Sequence, residues 1–110
     1  MFKLLPPMQN VKVVAAVVVY NPDYEEYRLL SDTGNNWRLS TPLIKGECVD
    51  GVFRVQTKSG STYDLEHSNI HVNDYIETMV TIFNNQGNRL QIVADDAKKL
   101  VQLLDTVINK

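Results

Sequence analysis

The chain reads as a mainly antiparallel β protein closed by one C-terminal helix, and three observations predict this. First, three glycines each stand last in a three-residue turn: Asp32-Thr33-Gly34, Lys58-Ser59-Gly60 and Asn85-Gln86-Gly87. A hairpin loop of that length ends on a left-handed residue, a conformation glycine takes without a Cβ clash. Second, each turn sets apolar residues opposite one another: Leu29 and Tyr27 face Trp37 and Leu39, Val55 and Phe53 face Tyr63 and Leu65, Ile82 and Val80 face Leu90 and Ile92. A slip of one residue would reverse every side chain, so these pairings fix a register. Third, the apolar residues of 95–109 fall at helical spacing, whereas those upstream follow strand alternation. A run of strands and then a terminal helix implies an antiparallel meander, or a small barrel or roll, of about seven strands.

The elements follow in order. Residues 1–10 form a leader in which Pro6-Pro7 is extended. Val11–Tyr20 is the first strand, and its run Val13–Tyr20 is apolar on both faces. That run is too short to span a membrane. Pro6-Pro7 before it and Asn21-Pro22-Asp23 after it do not fit a signal peptide, so a strand buried on both faces is the better reading. After the turn at 21–23, Glu26–Ser31 and Asn36–Thr41 form the first glycine hairpin. Pro42 interrupts the chain, and Leu43–Val49 resumes it with a bulge at Gly46. Asp50-Gly51 is a two-residue hairpin turn that sets Cys48 opposite Phe53 as a small core residue. Val52–Thr57 and Ser61–Glu66 form the next hairpin, in which Arg54 faces Asp64. Residues 75–83 fit two patterns. Ile76, Thr78, Val80, Thr81 and Ile82 are β-branched and favour a strand paired across the Gly87 turn. Ile76, Met79, Val80 and Phe83 also share one face of a helix, which is the alternative for this segment. In the last segment Ala97, Leu100, Val101, Leu103, Leu104, Val107 and Ile108 face the core, and Asp95 or Asp96 supplies the N-cap. Residues 1–110 thus make one domain: leader 1–10, antiparallel β 11–93 and helix 95–109.

Composition excludes several classes. The chain has 110 residues, a net charge of −2 and 44% hydrophobic content. It carries no bulk positive charge for nucleic acid and no charged tail. The lone Cys48 forms no internal disulfide, which fits a reducing cytoplasm or indifference to compartment. His67 and His71 are four apart, near Asp64, Glu66 and Asp74, but Ser68-Asn69 reads as a turn and no third His or Cys is close in sequence. No nucleophile elbow surrounds Ser40, Ser59, Ser61 or Cys48, and no glycine-rich segment leads from strand to helix. The carboxylates Glu25-Glu26 and Asp95-Asp96 read as a loop edge and a helix start. No metal, cofactor or catalytic residue is expected.

Two features remain. The Gly34 register sets Arg28 opposite Arg38, beside Trp37. Like charges so placed repel unless Glu26 relieves them or an anion binds, so Arg28, Arg38, Trp37 and Lys58 are the candidate anion or partner site. The two-sided apolar strand needs more cover than one helix gives, which predicts a homodimer through Val14, Val18 and Leu104.

Two resemblances add to this. The sequence Trp37-Arg38-Leu39-Ser40-Thr41-Pro42-Leu43, followed by Gly51-Val52-Phe53-Arg54-Val55-Gln56-Thr57-Lys58-Ser59-Gly60-Ser61-Thr62-Tyr63, resembles a pattern in small uncharacterised phage and plasmid proteins. That resemblance implies a mobile-element origin and brings no catalytic residues with it. In architecture the chain is similar to pleckstrin-homology-like domains. The first loop here, Asn21-Pro22-Asp23-Tyr24-Glu25-Glu26, is acidic and unsuited to phosphoinositides. The functional expectation is a non-enzymatic cytoplasmic module that binds another protein. The alternative is a nucleic-acid-binding small barrel that uses Arg28, Arg38, Arg54 and Lys58.

Overall fold

The structure, a computed structural model, describes residues 11–109. The expected leader, 1–10, lies outside them. The expected first strand, Val11–Tyr20, is divided between two sheets. β1 (Val11–Lys12) pairs parallel with β7 (Thr62–Glu66). After a break at Val13-Val14 the chain continues as β2 (Ala15–Asn21). β2, β3 (Glu26–Asp32), β4 (Trp37–Leu39) and β8 (Gln91–Ala94) form sheet I, in the order β4-β3-β2-β8. β5 (Leu43–Val49), β6 (Val52–Thr57), β7 and β1 form sheet II, in the order β1-β7-β6-β5. Apart from the β1–β7 pairing, every pairing between these strands is antiparallel. The mainly antiparallel β class with a C-terminal helix is as expected, and the strands form two sheets rather than one closed barrel.

β2 explains the layering. Ala16 and Val18 point to sheet II, where they join Leu29, Phe53, Val55, Tyr63 and Leu65 in one apolar cluster. Ala15, Val17 and Val19 point the other way and join Leu30, Ile76, Met79 and Leu90. The second cluster lies beneath α1 (Asp74–Asn85). The first is closed by Leu100 of α2 (Ala97–Leu103) and by Leu104 of the π turn Leu104–Ile108 that ends it. α2 packs on β8 and the π turn on β5, so together they close one side between the sheets.

Several expectations are corrected here. Segment 75–83 is helical, not a strand. Asn73 caps it by accepting the Ile76 N–H at 2.8 Å, and Asp74 and Glu77 lie in its first turn. At its end Gly87 N–H donates to Asn84 C=O and Asn88 N–H to Phe83 C=O, both at 3.2 Å, which is a Schellman cap. Gly87 is left-handed, with φ of 94°, but it ends a helix rather than a hairpin. α1 is the cover that the outer side of β2 needs. On the inner side, where sheet II and the C-terminal turn give the cover, Val18 is 1% exposed and Leu104 4% exposed within a single chain, and neither is free to form an interface. Of the three candidate interface residues only Val14, at 51%, is exposed.

The first glycine hairpin is shifted by its loop. Leu30 pairs with Leu39, Ser31 with Arg38 and Asp32 with Trp37, so the loop is Thr33–Asn36. Thr33 N–H donates to Asn36 C=O at 2.9 Å, and Gly34 N–H donates to the Asp32 carboxylate at 2.8 Å. The Gly60 and Asp50-Gly51 turns give the expected pairs, Val55 with Tyr63, Phe53 with Leu65, Arg54 with Asp64 and Cys48 with Phe53. Cys48 is nonetheless exposed rather than in the core, because β5 is an edge strand. The irregularity in β5 lies between Leu43 and Lys45, not at Gly46. Of the apolar residues assigned to the inner face of the last helix, Val101 and Val107 are exposed.

Candidate functional site

Three of the four main sheet faces are covered. The inner faces of the two sheets meet one another, and α1 lies on the outer face of sheet I. Among the described residues no helix lies on the outer face of sheet II, and its strands carry polar residues there. On β6 and β7 the residues Phe53, Val55, Tyr63 and Leu65 go inward, so Arg54, Gln56, Thr62 and Asp64 alternate outward.

One line of side chains crosses the whole of this face. Register sets Glu47 of β5 opposite Arg54 of β6, Arg54 opposite Asp64 of β7, and Asp64 opposite Lys12 of β1. The charges alternate in sign across all four strands. Its centre is a two-point ion pair: Arg54 Nε donates to Asp64 Oδ1 at 2.9 Å and Nη2 donates to Oδ2 at 3.2 Å. Hydrogen bonding to Asp64 and the negative charges of Asp64 and Glu47 hold the Arg54 guanidinium above its ordinary value. On one side of this rung a hollow of about 250 Å³ is lined by Lys45, Gln56, Thr62 and Asn109 as well as Glu47 and Arg54. On the other, about 520 Å³ opens over Val49, Asp50, Val52 and Asp64 and shares Glu47 and Arg54 with the first. The two hollows flank charges that compensate each other, and the second is bordered by the exposed Val49.

The candidate residues Arg28, Arg38, Trp37 and Lys58 do not come together as expected. The shifted register moves Arg38 opposite Ser31, so Arg28 and Arg38 lie on opposite sides of sheet I by strand alternation. Arg28 is engaged by Glu26 at 2.8 Å and also donates to the Ser40 carbonyl at 3.3 Å. Trp37 stands edge-on to Phe83 of α1, with ring centroids 5.2 Å apart. Lys58 is exposed at the β6–β7 turn, its backbone N–H bonded to Pro42 C=O at 2.8 Å. Arg54 belongs to the outer face of sheet II. The three arginines thus occupy three different faces. A smaller cleft of about 170 Å³ beside Arg28 is lined by Tyr24, Leu39, Phe83 and Leu90.

The histidines have separate settings. His67 lies in a single helical turn, His67–Asn69, with its ring 5.2 Å from that of Phe53. His71 Nδ1 sits 2.9 Å from the Ser68 carbonyl oxygen. Among the described residues no three potential metal-ligating side chains gather, and no helix is long and apolar enough to cross a membrane.

Sequence reasoning singled out Arg54 and its pairing with Asp64 but not the full rung. The Asp50-Gly51 turn already implies Glu47 opposite Arg54, one step beyond Cys48 and Phe53. Lys12 carries no such signal, because a parallel pairing has no turn to announce it. The chain matches no protein-family model, no curated protein and no solved structure.

Proposed function

We propose that the protein is a non-enzymatic cytoplasmic binding module that engages another protein through the outer face of sheet II. The observation that carries this reading is the four-strand face, bare of helix among the described residues, with its Glu47–Arg54–Asp64–Lys12 rung. A phosphate backbone laid on that face would meet Glu47 and Asp64 as well as the two cations, so the charge pattern favours a protein surface of mixed sign. Val49 and Val52 offer apolar area at its border. The resemblance of residues 37–43 and 51–63 to small phage and plasmid proteins implies a mobile-element origin and brings no catalytic residue to the reading.

The test compares tagged wild type with Arg54→Glu and Val49→Asp variants of unchanged melting temperature, each used to capture partners from the source cells. A specific protein retained by wild type and lost from both variants supports the reading. A protein retained equally by all three removes this face from it. Retention of DNA or RNA at low salt, lost on replacing Arg28, Arg38, Arg54 and Lys58, would establish the nucleic-acid alternative instead.

A further inference from the structure

The C-terminal turn, packed on β5 through Leu104, is hydrogen-bonded to that edge strand of sheet II through the side chain of Asn109. Among the described residues β5 pairs with one strand, β6, on one side. On its other side Asn109 Oδ1 accepts the Gly46 N–H at 2.8 Å, and Asn109 Nδ2 donates to the Gly46 carbonyl at 2.6 Å. An amide that takes both polar groups of a single strand residue does what the opposite residue of a neighbouring strand does in a hydrogen-bonded pair. We propose that Asn109 guards this edge, and that the occupant it excludes is β5 of a second copy of the chain.

The choice of occupant follows from the sequence of β5. Gly46 turns its polar groups outward, as the bonds to Asn109 require. In an antiparallel pairing with its two-fold axis at Gly46, the two glycines would exchange the same N–H and C=O groups that Asn109 now takes. Lys45 of each copy would then face Glu47 of the other, giving two opposite-charge pairs. Both side chains are exposed on the outer face. Ile44 would face Cys48, and both of these are exposed as well. Axes at the neighbouring residues are disfavoured: Lys45 would face Lys45, or Glu47 would face Glu47. The strand contains no proline, its irregularity lies to one side of Gly46, between Leu43 and Lys45, and its outer charges match this pairing, so at Gly46 it is the side chain of Asn109 that blunts the edge. This inference does not depend on the binding face proposed above.

The experiment is sedimentation velocity on the full chain over a wide concentration range, with hydrogen exchange at the Gly46 amide. Wild type should hold the single-chain mass with Gly46 protected. Asn109→Ala should expose Gly46 to exchange when dilute and double the mass when concentrated, with protection restored. Adding Lys45→Glu, which would face Glu47 of the second copy, should return the mass to that of one chain. An Asn109→Ala protein whose Gly46 exchanges freely but whose mass never rises would overturn the proposal. So would a doubled mass that ignores Lys45→Glu, or a wild-type dimer unaffected by Asn109.

Discussion

A Cβ placed on Gly46 would stand 2.7 Å from Leu104 Cδ2 and 3.0 Å from Val55 Cγ1. Both distances are below ordinary van der Waals contact, so the glycine is required by the close approach of the C-terminal turn to β5. Gly46→Ala should therefore cost about 1–3 kcal/mol through overpacking. Leu104→Ala alone should cost about 2–5 kcal/mol, since it empties a buried site. The double variant should be less destabilised than the sum, because the smaller residue 104 admits the new methyl. Denaturant titrations of the four proteins close the cycle, and simple additivity would mean that the approach costs nothing.

Val18 and Val14 should separate sharply although they lie four residues apart in one apolar run. Val18 packs between the sheets and is 1% exposed, whereas Val14 is 51% exposed at the break between β1 and β2. Val18→Asp would bury a carboxylate with no cation in the surrounding cluster, a loss of roughly 4 kcal/mol or more. Val14→Asp should change stability by no more than about 0.5 kcal/mol. Far-ultraviolet circular dichroism and thermal melts would show an unfolded or insoluble Val18 variant beside a folded Val14 variant. A soluble, folded Val18→Asp monomer would mean that Val18 faces another chain instead.

Sheet II is legible in the sequence because its two turns name their own geometry. Asp50-Gly51 is a two-residue turn with both residues left-handed, φ 53° and 79°, and Lys58-Ser59-Gly60 ends on a left-handed glycine. The first hairpin is less legible. Gly34 is left-handed there too, but it is second in a four-residue loop rather than third of three, and the glycine alone does not reveal which. The change reverses the relation of Arg28 to Arg38, so the anion site expected from that register dissolves. α1 is ambiguous for a different reason. Its β-branched residues favour a strand, yet Ile76, Met79, Val80 and Phe83 bury one helical face over β2, and the Asn73 cap and Gly87 close both ends. With α1 in place the demand for a second subunit over β2 disappears. The Asn109 contact with Gly46 joins residues 63 apart and has no local signature.

Gly87 should behave as a helix terminator. Its φ of 94° satisfies a Schellman cap, and a Cβ there would meet nothing within 4 Å. The cost of Gly87→Ala is therefore backbone strain alone, about 1–2 kcal/mol. Gly87→Asn should cost less, since asparagine tolerates the left-handed region. Melting temperatures ordered Gly, then Asn, then Ala would confirm this ranking, and an alanine variant as stable as wild type would refute the cap.

The start of α2 should carry a pH-dependent increment that vanishes in acid. Lys99 Nζ donates to Asp95 Oδ1 at 2.8 Å, one helical turn away, and this bond holds the Asp95 carboxyl below its ordinary value of 3.8. A carboxyl whose folded value is depressed stabilises the fold fully above its unfolded value and loses that contribution as pH falls through the folded value. Both side chains are substantially exposed, so solvent and salt screen the pair and its effect is small beside the core substitutions above. Asp95→Asn should lower the melting temperature slightly at neutral pH and low salt. The gap should shrink in high salt, and it should close as pH drops from 3.8 into the range where Asp95 is protonated in both states. Asp96, which caps α2 by accepting the Lys99 N–H at 2.7 Å, gives the contrast. Asp96→Asn retains an accepting oxygen and should keep the cap across the same pH range. A melting difference for Asp95→Asn that stays constant from neutral pH to acid would show that the ion pair is not its source.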